Sequence, residues 1–79
     1  MTIFTYLLKS EKDDSYYTGI SDDCERRFIE HNSGEVLSTR GKGPWNLVYK
    51  KAHESYAEAR KHEKWLKKKN RQYKDNLTK

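Results

Sequence analysis

The run Ile3-Phe4-Thr5-Tyr6-Leu7-Leu8-Lys9 is apolar, aromatic or β-branched on both of its alternating faces, the pattern of a strand covered on each side. It predicts the central strand of the fold and requires a layer of structure above it and another below. Little apolar material is available for those layers. The chain has 79 residues and the AVILMFWYC set makes up 33% of them, where about 45–50% apolar residues, glycine included, is usual. The core is therefore expected to be thin, and the length supports one unit spanning residues 1–79. Six Tyr, two Trp and two Phe interleaved with turn signals argue for a folded chain despite 37% charged residues.

The single cysteine, Cys24, excludes an internal disulfide and a multi-cysteine zinc site, which suits a reducing compartment. No apolar run approaches the roughly 18 residues of a membrane span, and residues 1–5 place no basic leader ahead of an apolar stretch. The expected location is the cytoplasm, with no membrane partner. Charge is unevenly divided along the chain. Residues 1–49 carry six Lys/Arg against eight Asp/Glu, whereas residues 50–79 carry eleven against four. The net charge of +5 is thus concentrated around Trp65, Tyr73 and Lys67-Lys68-Lys69. That is the footprint of a polyanion binder, because neutralised phosphates release counterions. A merely solvated lysine-rich helix face has the same composition.

Glu11-Lys12-Asp13-Asp14 supplies polar turn residues ahead of Ser15-Tyr16-Tyr17-Thr18-Gly19-Ile20, so the first two runs predict an antiparallel hairpin. Asp22 with Glu25 three residues on resembles a capping box, and Asn32-Ser33-Gly34 supplies a stop, bracketing a helix of about ten residues. Residues 33–44 hold three glycines, one proline and the cations Arg40 and Lys42 without a helical or strand period. They predict a long exposed loop, and loops of this length in small domains commonly bind or react. Residues 45–50, Trp-Asn-Leu-Val-Tyr-Lys, resume a strand pattern, and Ser55 with Glu58 opens a helix to about Lys68. A short helix from about Asn70 to Leu77 completes the order β-β-α-β-α-α. The fold class is α+β.

Polar residues on core-facing stripes carry the functional signal. In the first helix Cys24, Arg27, Phe28 and His31 follow the i, i+3, i+4, i+7 spacing, while Arg26 and Glu30 fall on the solvent side. A guanidinium at the edge of a core meets a carboxylate or points into a cleft awaiting an anion. His31 is read either as a satisfied core histidine or as a proton acceptor. In the second helix Tyr56, Ala59, His62, Glu63 and Leu66 share a face, so Glu63 is either the partner of a buried cation, with Arg27 the obvious one, or a metal ligand. Strand parity puts Phe4, Tyr6 and Leu8 on one face, and Tyr17 and Gly19 on one face of the next strand. If these converge, phenols, imidazole, guanidinium and carboxylate form a set able to cut a phosphodiester. His62-Glu63 lacks the second histidine of a zinc-protease helix, and Gly41-Lys42-Gly43-Pro44 lacks the spacing of a phosphate-binding loop.

Tyr6 in the first strand, then Tyr17-Thr18-Gly19, Arg27 with His31 one turn later, the strand after Pro44, and Glu63 ahead of Leu66-Lys67 appear in an order and spacing that resemble the GIY-YIG nuclease superfamily. The resemblance is to its small single-domain members related to the cleavage domain of UvrC, and it covers residues 4–77. Phe4-Thr5 stands where the family has Gly-Ile, Thr18 where it has Ile, and Ile20 where UvrC-like domains commonly carry a lysine.

The resemblance implies a small, mostly antiparallel three-stranded sheet flanked by helices, and a metal-dependent endonuclease acting on DNA in repair or processing. By matching position, Glu63 would hold Mg²⁺ or Mn²⁺ and Arg27 would stabilise the pentavalent phosphate. Tyr6 would orient or deprotonate the attacking water, assisted by His31 or Tyr17. Gly19, Arg40, Lys42, Lys67, Lys68 and Lys69 are the expected nucleic-acid contacts. Because an unperturbed phenol has a pKa near 10, His31 is the favoured proton acceptor with Tyr6 as orienter. Without an attached domain, intrinsic sequence specificity should be low, which implies a structure-specific substrate or a specificity-providing partner protein, with the chain a monomer or weak homodimer. The alternative is a non-catalytic nucleic-acid-binding module with the same fold.

Overall fold

The computed structural model describes residues 2–78. β1 (Ile3–Ser10) lies in the middle of a three-stranded antiparallel sheet, between β2 (Tyr16–Ser21) and β3 (Trp45–His53). The double-sided hydrophobic pattern of the first run is the cause: Thr5, Tyr6, Leu7 and Leu8 are all at most 1% exposed. β2 and β3 are the two edges. Three helices complete the architecture, α1 (Cys24–Asn32), α2 (Tyr56–Lys67) and α3 (Arg71–Leu77).

The pairing register fixes which side chains share a face. Phe4 is opposite Ser21, Tyr6 opposite Gly19 and Leu8 opposite Tyr17, and directly opposed residues point the same way. On this face Tyr6 and Leu8 pack with Cys24 of α1 and Trp45, with Phe4, Tyr17, Phe28 and Leu47 around them. The other face carries Thr5, whose hydroxyl donates to the Ala59 carbonyl of α2 at 3.0 Å. There α2 buries Ala59 and Leu66, His62 Nε2 lies 3.2 Å from the Tyr49 hydroxyl, and α3 is tied down by a hydrogen bond from the Tyr16 hydroxyl to Asp75. α1 and α2 thus cover opposite faces of β1.

Several local details depart from the sequence expectations. The cap of α1 is Asp23, not Asp22: its side chain accepts from Arg26 N, while Asp22 lies 3.5 Å from the Arg26 guanidinium. β3 runs on to His53. The 33–44 segment is not simply an exposed loop. It contains a 3-10 turn at Leu37–Thr39, and Thr39 is 1% exposed. The segment folds inward because its backbone and side chains find partners on both flanks. Asn32 Oδ1 accepts from Trp45 N at 2.6 Å while its amide donates to Trp45 O at 3.1 Å, and Ser10 donates to Lys42 O at 2.6 Å. Ser55 and Asn70 cap α2 and α3 through their side chains. Among the described residues, no helix is long and apolar enough to cross a membrane.

Candidate active site

Tyr6 and His31 meet in the layer between the sheet and α1. The Tyr6 hydroxyl is 3.1 Å from His31 Nε2, and His31 Nδ1 is 2.8 Å from Thr39 Oγ1. Thr39 spends its own proton on the Val36 carbonyl at 3.3 Å, so its oxygen accepts the His31 Nδ1 proton. That fixes the imidazole tautomer with Nε2 as acceptor, and the Tyr6 phenol as donor to it. Tyr17 closes the group, with ring centroids 4.7 Å from His31 and 6.4 Å from Tyr6. Gly19 makes this packing possible. A Cβ at that position would lie 2.6 Å from Cζ and Oη of Tyr6 and 3.1 Å from the Tyr17 ring, so only glycine lets the Tyr6 ring lie across the β2 backbone. Its place is beneath a phenol.

Electrostatics separate the roles of the two buried groups. Burial pushes the Tyr6 phenol up to about 12, against the opposing pull of the nearby Arg27 guanidinium. Tyr6 is therefore protonated near neutrality. Burial, reinforced by the Arg27 charge, holds His31 below its ordinary value, so the imidazole is neutral and its Nε2 lone pair is available. Burial opposes the charge on Arg27, but its contacts with the Tyr6 phenol and the Glu30 carboxylate outweigh that and raise its pKa. Tyr6 and His31 are enclosed, at 1% and 2% exposure, whereas Tyr17 and Arg27 are half-buried. The solvent side of the cluster is thus Tyr17 and Arg27, with the hydrogen-bonded pair behind them.

The partner of Arg27 is Glu30, with its Nη1 2.7 Å from Oε1. Sequence periodicity put Glu30 towards solvent and left Glu63 as either the partner of Arg27 or a metal ligand. A guanidinium spans one helical turn easily, so the carboxylate three residues on its own helix satisfies it. Glu63 instead sits on α2, in the layer on the far face of β1. His62 packs on Tyr49 and His53 of β3, and Glu63, about 100° further round the helix, is directed towards β2. Its side chain is 15% exposed, with Lys67 Nζ 3.6 Å from Oε2. β2 is an edge strand touched by both α1 and α2. Glu63 and the Tyr6 cluster therefore flank the same edge from opposite faces.

Among the described residues, no group of three or more His, Cys, Asp or Glu side chains gathers to hold a metal. The mostly buried Glu63 carboxylate, with a single long lysine contact, leaves oxygen capacity for a hard cation. This donor set fits a divalent ion completed by water and substrate phosphate rather than a closed protein cage.

The expected nucleic-acid contacts are dispersed. Arg40 Nε donates to the Gly34 carbonyl at 2.9 Å, and Lys42 is exposed on a segment anchored by Ser10. Lys67 is committed to Glu63. Lys68 is exposed, and Lys69 lies over the Trp65 and Tyr73 rings at 4.8 and 5.4 Å. Sequence reasoning missed Thr39 and Glu30 as parts of the site. A buried threonine inside an aperiodic loop leaves no periodic signal, whereas Glu30 was visible as an i+3 acid.

Residues 2–76 match the model of the GIY-YIG catalytic domain. The chain belongs to this family. It is 42% identical over 75 residues to the UPF0213 protein CPE1444 of Clostridium perfringens, covering 94% of this chain and 80% of that one. It is 39% identical over 75 residues to the UPF0213 protein SSP2268 of Staphylococcus saprophyticus, covering 94% and 90%. The solution NMR structure of the UPF0213 protein BH0048 from Bacillus halodurans superposes with a TM-score of 0.60 at 38% identity, over 98% of this chain and 82% of that one. The chain is thus one of the small GIY-YIG proteins, within a nuclease superfamily.

Proposed function

We propose that this chain is a metal-dependent endonuclease that hydrolyses DNA phosphodiester bonds with low intrinsic sequence specificity, acting in DNA repair or processing. The observation that carries the reading is the oriented Tyr6–His31 hydrogen bond beside Arg27, in a chain that matches the GIY-YIG catalytic domain along nearly its whole length.

The chemistry follows from the protonation states. A water held against the Tyr6 oxygen gives up its proton there as the Tyr6 proton moves to His31 Nε2, so the phenol relays without ever needing its own high pKa to be overcome. The Arg27 guanidinium receives the charge that develops on the phosphate. The Tyr17 phenol, on the solvent side of His31, steers the water and the phosphate oxygen towards the pair. Glu63 is the residue that would hold Mg²⁺ or Mn²⁺, and such an ion would supply Lewis-acid polarisation of the phosphate. Lys42, Lys68 and the other exposed cations hold the DNA backbone, and specificity beyond this comes from substrate structure or a partner protein. The reading places the chain in the cytoplasm, as a monomer or weak homodimer.

The enclosure of Tyr6 and His31 favours a second reading, a nucleic-acid-binding module that keeps the fold without turnover. One experiment separates the two. Wild type and Glu63→Gln are incubated with labelled single-stranded, duplex, nicked and branched DNA in Mg²⁺, in Mn²⁺ and in EDTA. Metal-dependent products that vanish in Glu63→Gln support the endonuclease. Binding by both proteins with no product on any substrate supports the module.

A further inference from the structure

A cleft of about 440 Å³ opens beside Arg27, where the start of β1, the end of β2, and the first turns of α1 and α2 come together. Ile3, Ile20 and Tyr56 line it with apolar and aromatic surface, and Ser21, Asp22, Arg26 and Arg27 line it with polar groups. The volume lies within the roughly 300–1,000 Å³ of small-ligand sites. We propose that this cleft seats the unpaired nucleotide next to the scissile phosphate, with guanine as the preferred base. The proposal deepens the endonuclease reading and rests on it for the identity of the neighbouring phosphate.

Each part of the cleft matches one part of a nucleotide. The two isoleucines and the Tyr56 ring offer the apolar, stacking surface that a base needs once it leaves the helical stack. Tyr56 is 53% exposed, which leaves it uncovered by the core. Arg60 lies 5.6 Å from its ring centroid and braces it as a cation over the ring. Arg26 and Arg27 supply positive charge for the phosphate at the mouth. Arg27 belongs to both the cleft and the Tyr6 cluster, so a phosphate there is shared with the hydrolytic groups.

The base preference follows from what remains free to read an edge. Ser21 is buried and its oxygen is already engaged, donating to Asp23 O at 3.1 Å and accepting from Asp23 N at 2.9 Å. The Asp22 carboxylate, half exposed and 3.5 Å from Arg26, is the acceptor left at the cleft edge. Guanine is the base whose Watson–Crick edge offers a carboxylate two adjacent donors, N1–H and N2–H.

The test is a titration of the ¹⁵N-labelled full chain with each of the four deoxynucleoside 5′-monophosphates and with inorganic phosphate, followed by amide chemical shifts. Saturable shifts are expected at Ile20, Asp22, Arg26 and Tyr56, with dGMP tighter than the other three by about fivefold. Tyr56→Ala should weaken all four by about tenfold, Tyr56→Phe should restore binding, and Asp22→Asn should keep binding while erasing the guanine preference. Shifts centred on Trp65 and Tyr73, equal responses to all four bases, or the same response to inorganic phosphate would each overturn the proposal. The outcome is separable from turnover. A chain that binds dGMP here and cuts no DNA keeps the guanine pocket but loses the endonuclease reading and with it the scissile identity of the neighbouring phosphate, whereas one that cuts DNA without base bias and binds no nucleotide loses the pocket alone.

Discussion

The Tyr6 hydroxyl lies 3.1 Å from His31 Nε2 and points its proton at that nitrogen, because Thr39 occupies the other ring nitrogen as an acceptor. The pair is therefore poised in one direction only, phenol to imidazole. Thr39→Val removes the acceptor at nearly constant volume and leaves the His31 Nδ1 proton unpaired. The expected result is a loss of about 1–3 kcal/mol of stability and a fall in cleavage rate on the order of 10²-fold, with Thr39→Ser close to wild type. Urea denaturation and single-turnover cleavage check both.

Gly19 is tied to Tyr6 by contact rather than by backbone freedom. A methyl group there would stand 2.6 Å from the Tyr6 ring and hydroxyl, so Gly19→Ala should push Tyr6 off His31. The expected cost is about 1–3 kcal/mol of overpacking, accompanied by loss of turnover. A variant with unchanged denaturation midpoint and unchanged activity would show that the ring does not depend on this approach.

The central strand, the cover on both of its faces and the helix cap at Ser55 were legible in the sequence. Each is written in local periodicity or in one side chain reaching a backbone amide three residues on. Strand parity likewise put Tyr6 on one face of the first strand and Tyr17 with Gly19 on one face of the second, whereas the coincidence of those two faces is set by the pairing register. What could not be read was tertiary. Thr39 sits in a segment with no period, and its burial depends on Trp45 Nε1 and His31 reaching it from other elements. The layer to which Glu63 belongs depends on which face of β1 α2 returns to, and helix periodicity is silent on that. Asp22 and Asp23 are adjacent acids, and only the geometry of the turn decides which one caps α1.

Arg27 pairs with Glu30 across one turn of a half-exposed helix surface. Such a pair stabilises a helix by only about 0.2–0.5 kcal/mol, so Arg27→Lys should leave stability within about 0.5 kcal/mol of wild type. Cleavage should fall by about 10²–10³-fold, as for loss of one charge-stabilising donor. A stability loss of several kcal/mol with activity retained would instead make Arg27 a structural residue.

Stability should fall on both sides of neutrality. Unfolded histidine takes up its proton near 6.5, while buried His31 and His62 resist theirs. Below that value the unfolded chain holds more protons, and stability drops as pH falls towards the folded-state pKa values. At the alkaline end, unfolded Tyr ionises near 10 and Tyr6 only near about 12, so stability drops again as pH rises between them. Denaturation midpoints across pH check this, and His31→Gln should flatten part of the acid slope.

The most direct measurement is the pH dependence of single-turnover cleavage by wild type, Tyr6→Phe and His31→Gln. With His31 as the acceptor behind Tyr6, the wild-type rate rises below 6.5 and is level through neutrality, and each variant loses on the order of 10²-fold or more. A rate that keeps climbing towards the phenol value of about 12, with His31→Gln near wild type, would contradict the account and make Tyr6 the base in its own right.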